Sequence, residues 1–167
     1  TEENIEGENP RIQELLNVIE ETQGNIIIWA TYRNSIKLIR DTLAKKFGAS
    51  KVAAFFGDTK AEDRQDIVEK FQSGELRFFI GQPRTGGYGL TLTNAKTVIY
   101  FNNTYDMEVR LQSEDRAHRI GQKDKVLYID FVCPNTLDEK IMKTLNTKKK
   151  LADQITGDNW KELFIEP

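Results

Sequence analysis

Three side chains in the second half of the chain have the types and spacing for phosphate chemistry. Gln112, Arg116 and Arg119 fall at i, i+4 and i+7, a pattern that shares one face of a helix. Asp106 is placed to cap that helix at its start, and Gly121 to end it in the left-handed conformation. The segment is poor in large apolar residues, so the arginine face reads as polar and open to a partner rather than as core. Two readings fit such a pair. One is solvated cations or surface ion pairs. The other is a pair of guanidinium forks held to meet a phosphate, because arginine keeps its charge and binds phosphate oxygens bidentately. An arginine finger of this kind stabilises charge spreading over a transferring phosphoryl group.

A second stretch, Arg84-Thr85-Gly86-Gly87-Tyr88-Gly89-Leu90-Thr91-Leu92, carries three glycines in four positions. Such a run lets the backbone approach a ligand and turn its amides inward, or it is simply a tight connection. Gly57-Asp58-Thr59-Lys60-Ala61-Glu62 reads as a turn into a helix, with Thr59 and Glu62 at capping-box spacing. The amides at that helix start suit a phosphate and Lys60 adds charge, although Thr59 already has a use as a cap. No Gly-x-x-x-x-Gly-Lys-Ser/Thr run occurs in the chain, so no P-loop cradles a triphosphate. Asp138-Glu139 follows a Pro-Asn turn in a helical first turn, where acids belong for dipole reasons.

The elements that must position these residues follow from apolar patterning. Asn9-Pro10 starts a helix striped by Ile12, Leu15, Leu16 and Ile19 and ended by Gly24. Asn25–Ala30 is a continuous apolar run, as in a strand covered on both faces. A helix over about Ser35–Phe47 turns Ile36, Ile39, Leu43 and Phe47 inward, and Gly48 ends it. Val52–Phe56 is a second strand. A third helix buries Ile67, Val68 and Phe71 and closes at Gly74. Arg77–Ile80, Thr97–Phe101 and Val126–Val132 read as further strands. Thr136 and Glu139 form a second capping box for a last helix with Leu137, Ile141 and Leu145 inside. The lysines at 148–150 are most simply a solvated helix end. Regular alternation of strand and helix predicts right-handed crossovers and a three-layer α/β domain, with a mainly parallel sheet of about five to six strands. Ligands in such folds sit at the carboxyl ends of the strands. The Gly57 turn, the glycine cluster and the start of the Gln112 helix all follow strands and are expected on one edge.

The chain has 167 residues, 38% of them hydrophobic and 30% charged, with formal net charge -2, which suits one domain with a full core. Any nucleic-acid contact must then be local. One cysteine, Cys133, and one histidine, His118, exclude an internal disulfide and any cysteine-based or multi-histidine metal site. Residues 1–8 are acidic and read as a linker remnant, residues 9–156 as the domain, and 157–167 as a tail with Trp160 and Phe164. No membrane span or signal peptide is read, and an intracellular protein is expected.

The run Asp115-Arg116-Ala117-His118-Arg119-Ile120-Gly121-Gln122, with Gln112 ahead of it, resembles motif VI of the Swi/Snf-type ATPases, helicase-like DNA translocases of helicase superfamily two. The glycine cluster resembles their motif V, departing from it at Gln82-Pro83 and Thr91. Ile26–Tyr32 resembles motif IV, and Thr136-x-x-Glu139-Lys140-Ile141 a helix that follows motif VI. The resemblance covers nearly the whole chain and implies the second (C-terminal) RecA-like domain. It implies γ-phosphate contacts at Arg116 and Arg119, a positioning or sensing role for Gln112, and a place near the nucleotide for Gly87 and Gly89. It implies a DNA track that includes Thr31, Tyr32, Arg33, Gly57, Thr59, Lys60, Arg84 and Thr85. The partners implied are the N-terminal RecA-like domain of the same polypeptide and double-stranded DNA. The cofactor implied is ATP with Mg²⁺, bound mainly by that other domain. The chain by itself is then expected to be monomeric and inactive. An RNA helicase, an annealing-type motor of the same superfamily and a stand-alone nucleic-acid-binding module are the alternatives. The setting implied is a bacterial cytoplasm, phage-encoded proteins included, or a eukaryotic nucleus.

Overall fold

The side chains of the first strand, β1 (Asn25–Trp29), divide the molecule into layers. Ile26 and Ile28 belong to one core cluster, Ile27 and Trp29 to the other, as the twofold period of a strand requires. The computed structural model describes residues 9–57, 59–86, 89–118, 122 and 124–156. The expected linker, residues 1–8, and tail, residues 157–167, lie outside the described residues, as do Gly87, Arg119 and Gly121.

In chain order the elements are α1 (Pro10–Glu21), β1, α2 (Arg33–Phe47), β2 (Val52–Phe55), α3 (Ala61–Ser73), β3 (Phe78–Gly81), β4 (Ala95–Tyr100), α4 (Met107–Asp115), β5 (Leu127–Asp130) and α5 (Leu137–Thr156). The five strands form one sheet in the order β2-β3-β1-β4-β5, and every pairing is parallel. Ile12, Leu15 and Ile19 of α1 and Ile36, Ile39 and Leu43 of α2 cover one face. Phe71 of α3, with Leu90, Leu92 and Ala117 from the loops, covers the other. This is the three-layer α/β arrangement that the apolar runs require. From β1 the chain goes out to β2 and back to β3 on one side, then crosses to β4 and β5. The order reverses at β1, and all carboxyl ends share one edge, the usual ligand edge of such sheets.

The helix starts are mostly as expected. Asn9 Oδ1 accepts from Arg11 N at 3.0 Å, with Pro10 opening α1. At α5 the expected capping box is displaced: Thr136 Oγ1 accepts from Asp138 N at 3.3 Å, and Glu139 accepts from Asn135 N at 3.1 Å, one residue ahead of the Thr136 amide. The capping box at Thr59 is not formed. Lys60 is the N-cap of α3 and makes no side-chain cap bond. The Thr59 hydroxyl instead accepts from Phe56 N at 3.1 Å, satisfying an amide just past the end of β2. Leu137, expected inside, is 58% exposed, while Ile141 and Leu145 are buried. Its neighbour Asp138 ion-pairs with Arg11 of α1, which turns Leu137 outward and starts the buried stripe a turn later.

Candidate functional site

At the carboxyl edge the ends of three adjacent strands are tied together. Ala30 N donates to Gly81 O and Phe101 N to Trp29 O, both at 2.9 Å. Beyond them the Thr31 peptide is held from both sides: its N–H donates to Asn102 Oδ1 at 2.5 Å, and its carbonyl accepts from Gln82 Nε2 at 2.9 Å. Gln82 is thus a tie between the loops after β3 and β1. Tyr32 follows, its side chain exposed, and Arg33 opens α2 with its guanidinium carbon 6.0 Å from the Phe56 ring centre. The Gly57 turn lies beside it, since a Cβ built on Gly57 would be 3.9 Å from Arg33 Nη2. Arg64 fixes that turn from α3, donating to Thr59 O at 2.8 Å and Gly57 O at 3.1 Å. A 3₁₀ turn, Pro83–Gly86, follows β3. In it Thr85 Oγ1 donates to Gln82 Oε1 at 3.4 Å, and exposed Arg84 pairs with Asp106 at 3.1 Å. Thr31 to Arg33, Gly57 to Lys60 and Arg84-Thr85 therefore follow the ends of β1, β2 and β3, neighbours in the sheet.

The arginine-bearing segment enters from the β4 side. Asp106 caps α4, its Oδ1 accepting from Val109 N at 3.2 Å. Three polar attachments join α4 to the strands. The Tyr100 hydroxyl lies 2.7 Å from the Ser113 hydroxyl, the Tyr128 hydroxyl donates to Glu114 O at 3.2 Å, and Arg110 pairs with Asp130, the last residue of β5. Burial raises the Tyr100 pKa, against the opposing pull of the Arg110 charge. Burial works against the Arg110 charge, but Asp130, Tyr100 and Glu114 outweigh it and its pKa is raised.

Arg116 is not on the open polar surface that the spacing suggested. The helix stops at Asp115, and Arg116 is the cap beyond it. Arg116 is 3% exposed, donates from Nη2 to Pro83 O at 3.2 Å, and holds its guanidinium carbon 5.1 Å from the Trp29 ring centre. Gln112 points elsewhere: it is exposed and donates to Glu108 Oε1 at 3.0 Å. Gln112 lies on the exposed side of α4, whereas Arg116 and Ala117 are buried. Gly89 has φ +50°, a left-handed position that favours glycine. Gln122 Nε2 donates to Thr93 O at 2.7 Å, tying the chain after the arginines to the loop before β4. Sequence reasoning missed Trp29, Gln82, Asn102, Asn103, Arg110 and Asp130. Only the Arg110–Glu114 pair, at i and i+4, carried a readable signal. Chemically, the edge brings together cations, Arg33, Lys60 and Arg84, of the kind that can neutralise phosphate oxygens. Among the described residues no group of three or more His, Cys, Asp or Glu side chains could hold a metal ion. Nor is any described helix long and apolar enough to cross a membrane.

Residues 10–121 match the family model for the helicase conserved C-terminal domain. The chain is 32% identical over 151 residues to the ATP-dependent helicase fft2 of Schizosaccharomyces pombe, covering 88% of this chain and 11% of that protein. It is 33% identical over 151 residues to the putative ATP-dependent helicase/translocase YwqA of Bacillus subtilis, covering 90% of this chain and 16% of that one. The chain thus spans a small part of these relatives. Among solved structures, the C-terminal part of the Fun30 ATPase domain superposes with TM-score 0.75 at 26% identity, covering 86% of this chain and 48% of that one. The Sulfolobus solfataricus SWI2/SNF2 ATPase core in complex with dsDNA superposes with TM-score 0.68 at 29% identity, covering 90% and 32%.

Proposed function

The chain belongs to the helicase conserved C-terminal domain family, of the Swi/Snf type, and we propose that it is the second RecA-like half of an ATP-driven double-stranded-DNA translocase. The domain is residues 9–156, with 1–8 a connection and 157–167 a tail. Its setting is a bacterial cytoplasm or a eukaryotic nucleus. Nucleotide binds in a cleft between this half and an N-terminal RecA-like domain of the same polypeptide, which holds the triphosphate and Mg²⁺. When bound there, the ion neutralises charge on the phosphates.

One observation supports this most. The buried guanidinium of Arg116, between the Trp29 ring and the Pro83 carbonyl, fixes the chain three residues before Arg119 at the ligand edge of the sheet. Arg119 is the residue we assign to the γ-phosphate. Arg116 seats it, because burial in this domain leaves Arg116 to act through the segment it anchors. Gln112, exposed on α4, senses or positions the nucleotide, and Gly87 and Gly89 let the loop before β4 approach it. Thr31, Tyr32, Arg33, Gly57, Thr59, Lys60, Arg84 and Thr85 form this half of the DNA track.

The test is Arg119→Ala in the polypeptide that carries both halves. DNA-stimulated turnover should fall by roughly 10³ to 10⁵, while DNA affinity and melting temperature stay near wild type. Arg119→Lys should rescue poorly, since it keeps the charge and loses the fork. Unchanged turnover in Arg119→Ala overturns the proposal.

A further inference from the structure

α4 is an unusual anchor for residues that must be placed to a fraction of an ångström. It has nine residues, and the one that is buried is Ser113, so no large apolar side chain locks it to the sheet. Its position depends on directional polar contacts, and the densest of these centre on Arg110. Arg110 Nη1 donates to Asp130 Oδ1 at 2.5 Å, Nη2 to Asp130 Oδ2 at 3.1 Å, Nη1 to Asn103 Oδ1 at 3.0 Å and Nε to Glu114 Oε1 at 2.6 Å. Its guanidinium carbon stands 3.6 Å from the Tyr100 ring centre. Asn103 closes the set by donating to Asp130 Oδ1 at 2.8 Å. One side chain therefore joins the end of β4, the loop after it, α4 and the end of β5. Side-chain exposure is 11% for Arg110 and 21% for Asp130, so solvent screens the pair little.

We propose that the Arg110–Asp130 fork is the positioning element for the arginine segment after α4, setting the direction in which α4 hands the chain to buried Arg116 and, through it, to Arg119. This rests on the reading of Arg119 given above. Arg110 touches no reacting atom; it acts through the helix. Misplacement by about 1 Å can cost roughly 10²-fold in rate, and a fork fixes direction where a single charge does not.

The experiment uses the polypeptide with both halves and five variants: Arg110→Lys, Arg110→Glu, Asp130→Arg, the Arg110→Glu/Asp130→Arg swap, and Arg119→Ala as control. Turnover is expressed per folded molecule. Arg110→Lys should lose roughly 10- to 100-fold in kcat, with KM for ATP and DNA affinity within about threefold of wild type. Each single charge reversal should be worse, and the swap should recover both melting temperature and kcat over either single. A folded Arg110→Lys with normal kcat overturns the inference. So does a swap that melts and turns over no better than the poorer single, which also decides the matter if Arg110→Lys does not fold. An inactive Arg119→Ala beside a normal Arg110→Lys removes this inference alone. A normal Arg119→Ala removes the underlying reading and this one with it.

Discussion

Arg116 lies over Trp29, guanidinium carbon to ring centre 5.1 Å, and both are buried. Trp29 ends β1, the strand at which the sheet order reverses, and Arg116 caps α4. The contact therefore joins the centre of the sheet to the segment that leads into Arg119. Arg116 also donates to the Pro83 carbonyl, so the turn after β3 is held by the same group.

Arg116→Ala is expected to destabilise the domain by about 2–4 kcal/mol, through the lost cation–π contact, the lost charge-assisted hydrogen bond and the uncovered ring. Arg116→Lys should recover part of this, because an ammonium keeps the charge and loses the planar stack. Denaturant unfolding with an unchanged slope measures it. A wild-type midpoint for Arg116→Ala would restore the open-surface reading.

Gly81 ends β3 in a tight place. A Cβ there would stand 3.0 Å from Phe55 O, 3.1 Å from Trp29 Cζ3 and 3.2 Å from Phe79 Cε1. Two rings and a strand carbonyl must shift to admit a methyl. Gly81→Ala should cost about 1–3 kcal/mol and shift Trp29 emission. Thermal melting tests this, and an unchanged or raised midpoint would show that the rings move freely.

The strands were legible because a parallel sheet covered on both faces leaves unbroken apolar runs, as in Ile26–Trp29 and Phe78–Ile80. The start of α1 was legible because Asn9-Pro10 fixes it locally. The end of α4 was not. Local rules favour helix as far as Gly121, whereas α4 ends at Asp115 and the next two residues, Arg116 and Ala117, are buried on the Trp29 side of the core. The Thr59 cap was not legible either, because the amide of Phe56, just past the end of β2, takes its hydroxyl. The Arg110–Asp130 pair spans 20 residues. It becomes visible only once β5 is known to lie beside β4 in register, with Tyr100 opposite Asp130.

Tyr100 gives a pH signature. Burial raises its pKa above the ordinary 10.0. A group whose folded value is raised contributes stability that is fully present below its unfolded pKa. That stability is lost as pH rises through the folded value. Stability should therefore fall above about pH 10. Tyr100→Phe, which loses the contact with Ser113 at a cost of about 1 kcal/mol, should show a shallower alkaline loss. Ultraviolet titration of both proteins, beside unfolding at several alkaline pH values, checks it. Equal slopes would mean that the phenol ionises freely in the folded state.

The proposed DNA edge carries few cations, and that fixes how it should bind. Arg33, Lys60 and Arg84 follow three adjacent strand ends, while the whole chain has net charge -2. With about two to three phosphates neutralised, log affinity should fall with log salt at a slope of about -2 to -3. Affinity should be weak for this half alone, since long-range attraction is absent. Lys60→Ala should reduce the slope by about one. Arg84 is partly occupied by Asp106, an exposed pair worth little. Asp106→Asn keeps a good capping residue on α4 and releases Arg84, so it should tighten DNA binding modestly and steepen the slope. Fluorescence anisotropy of a labelled duplex over a salt series measures all three proteins. Tight binding indifferent to salt, or a Lys60→Ala slope equal to wild type, would place the DNA contact on another face.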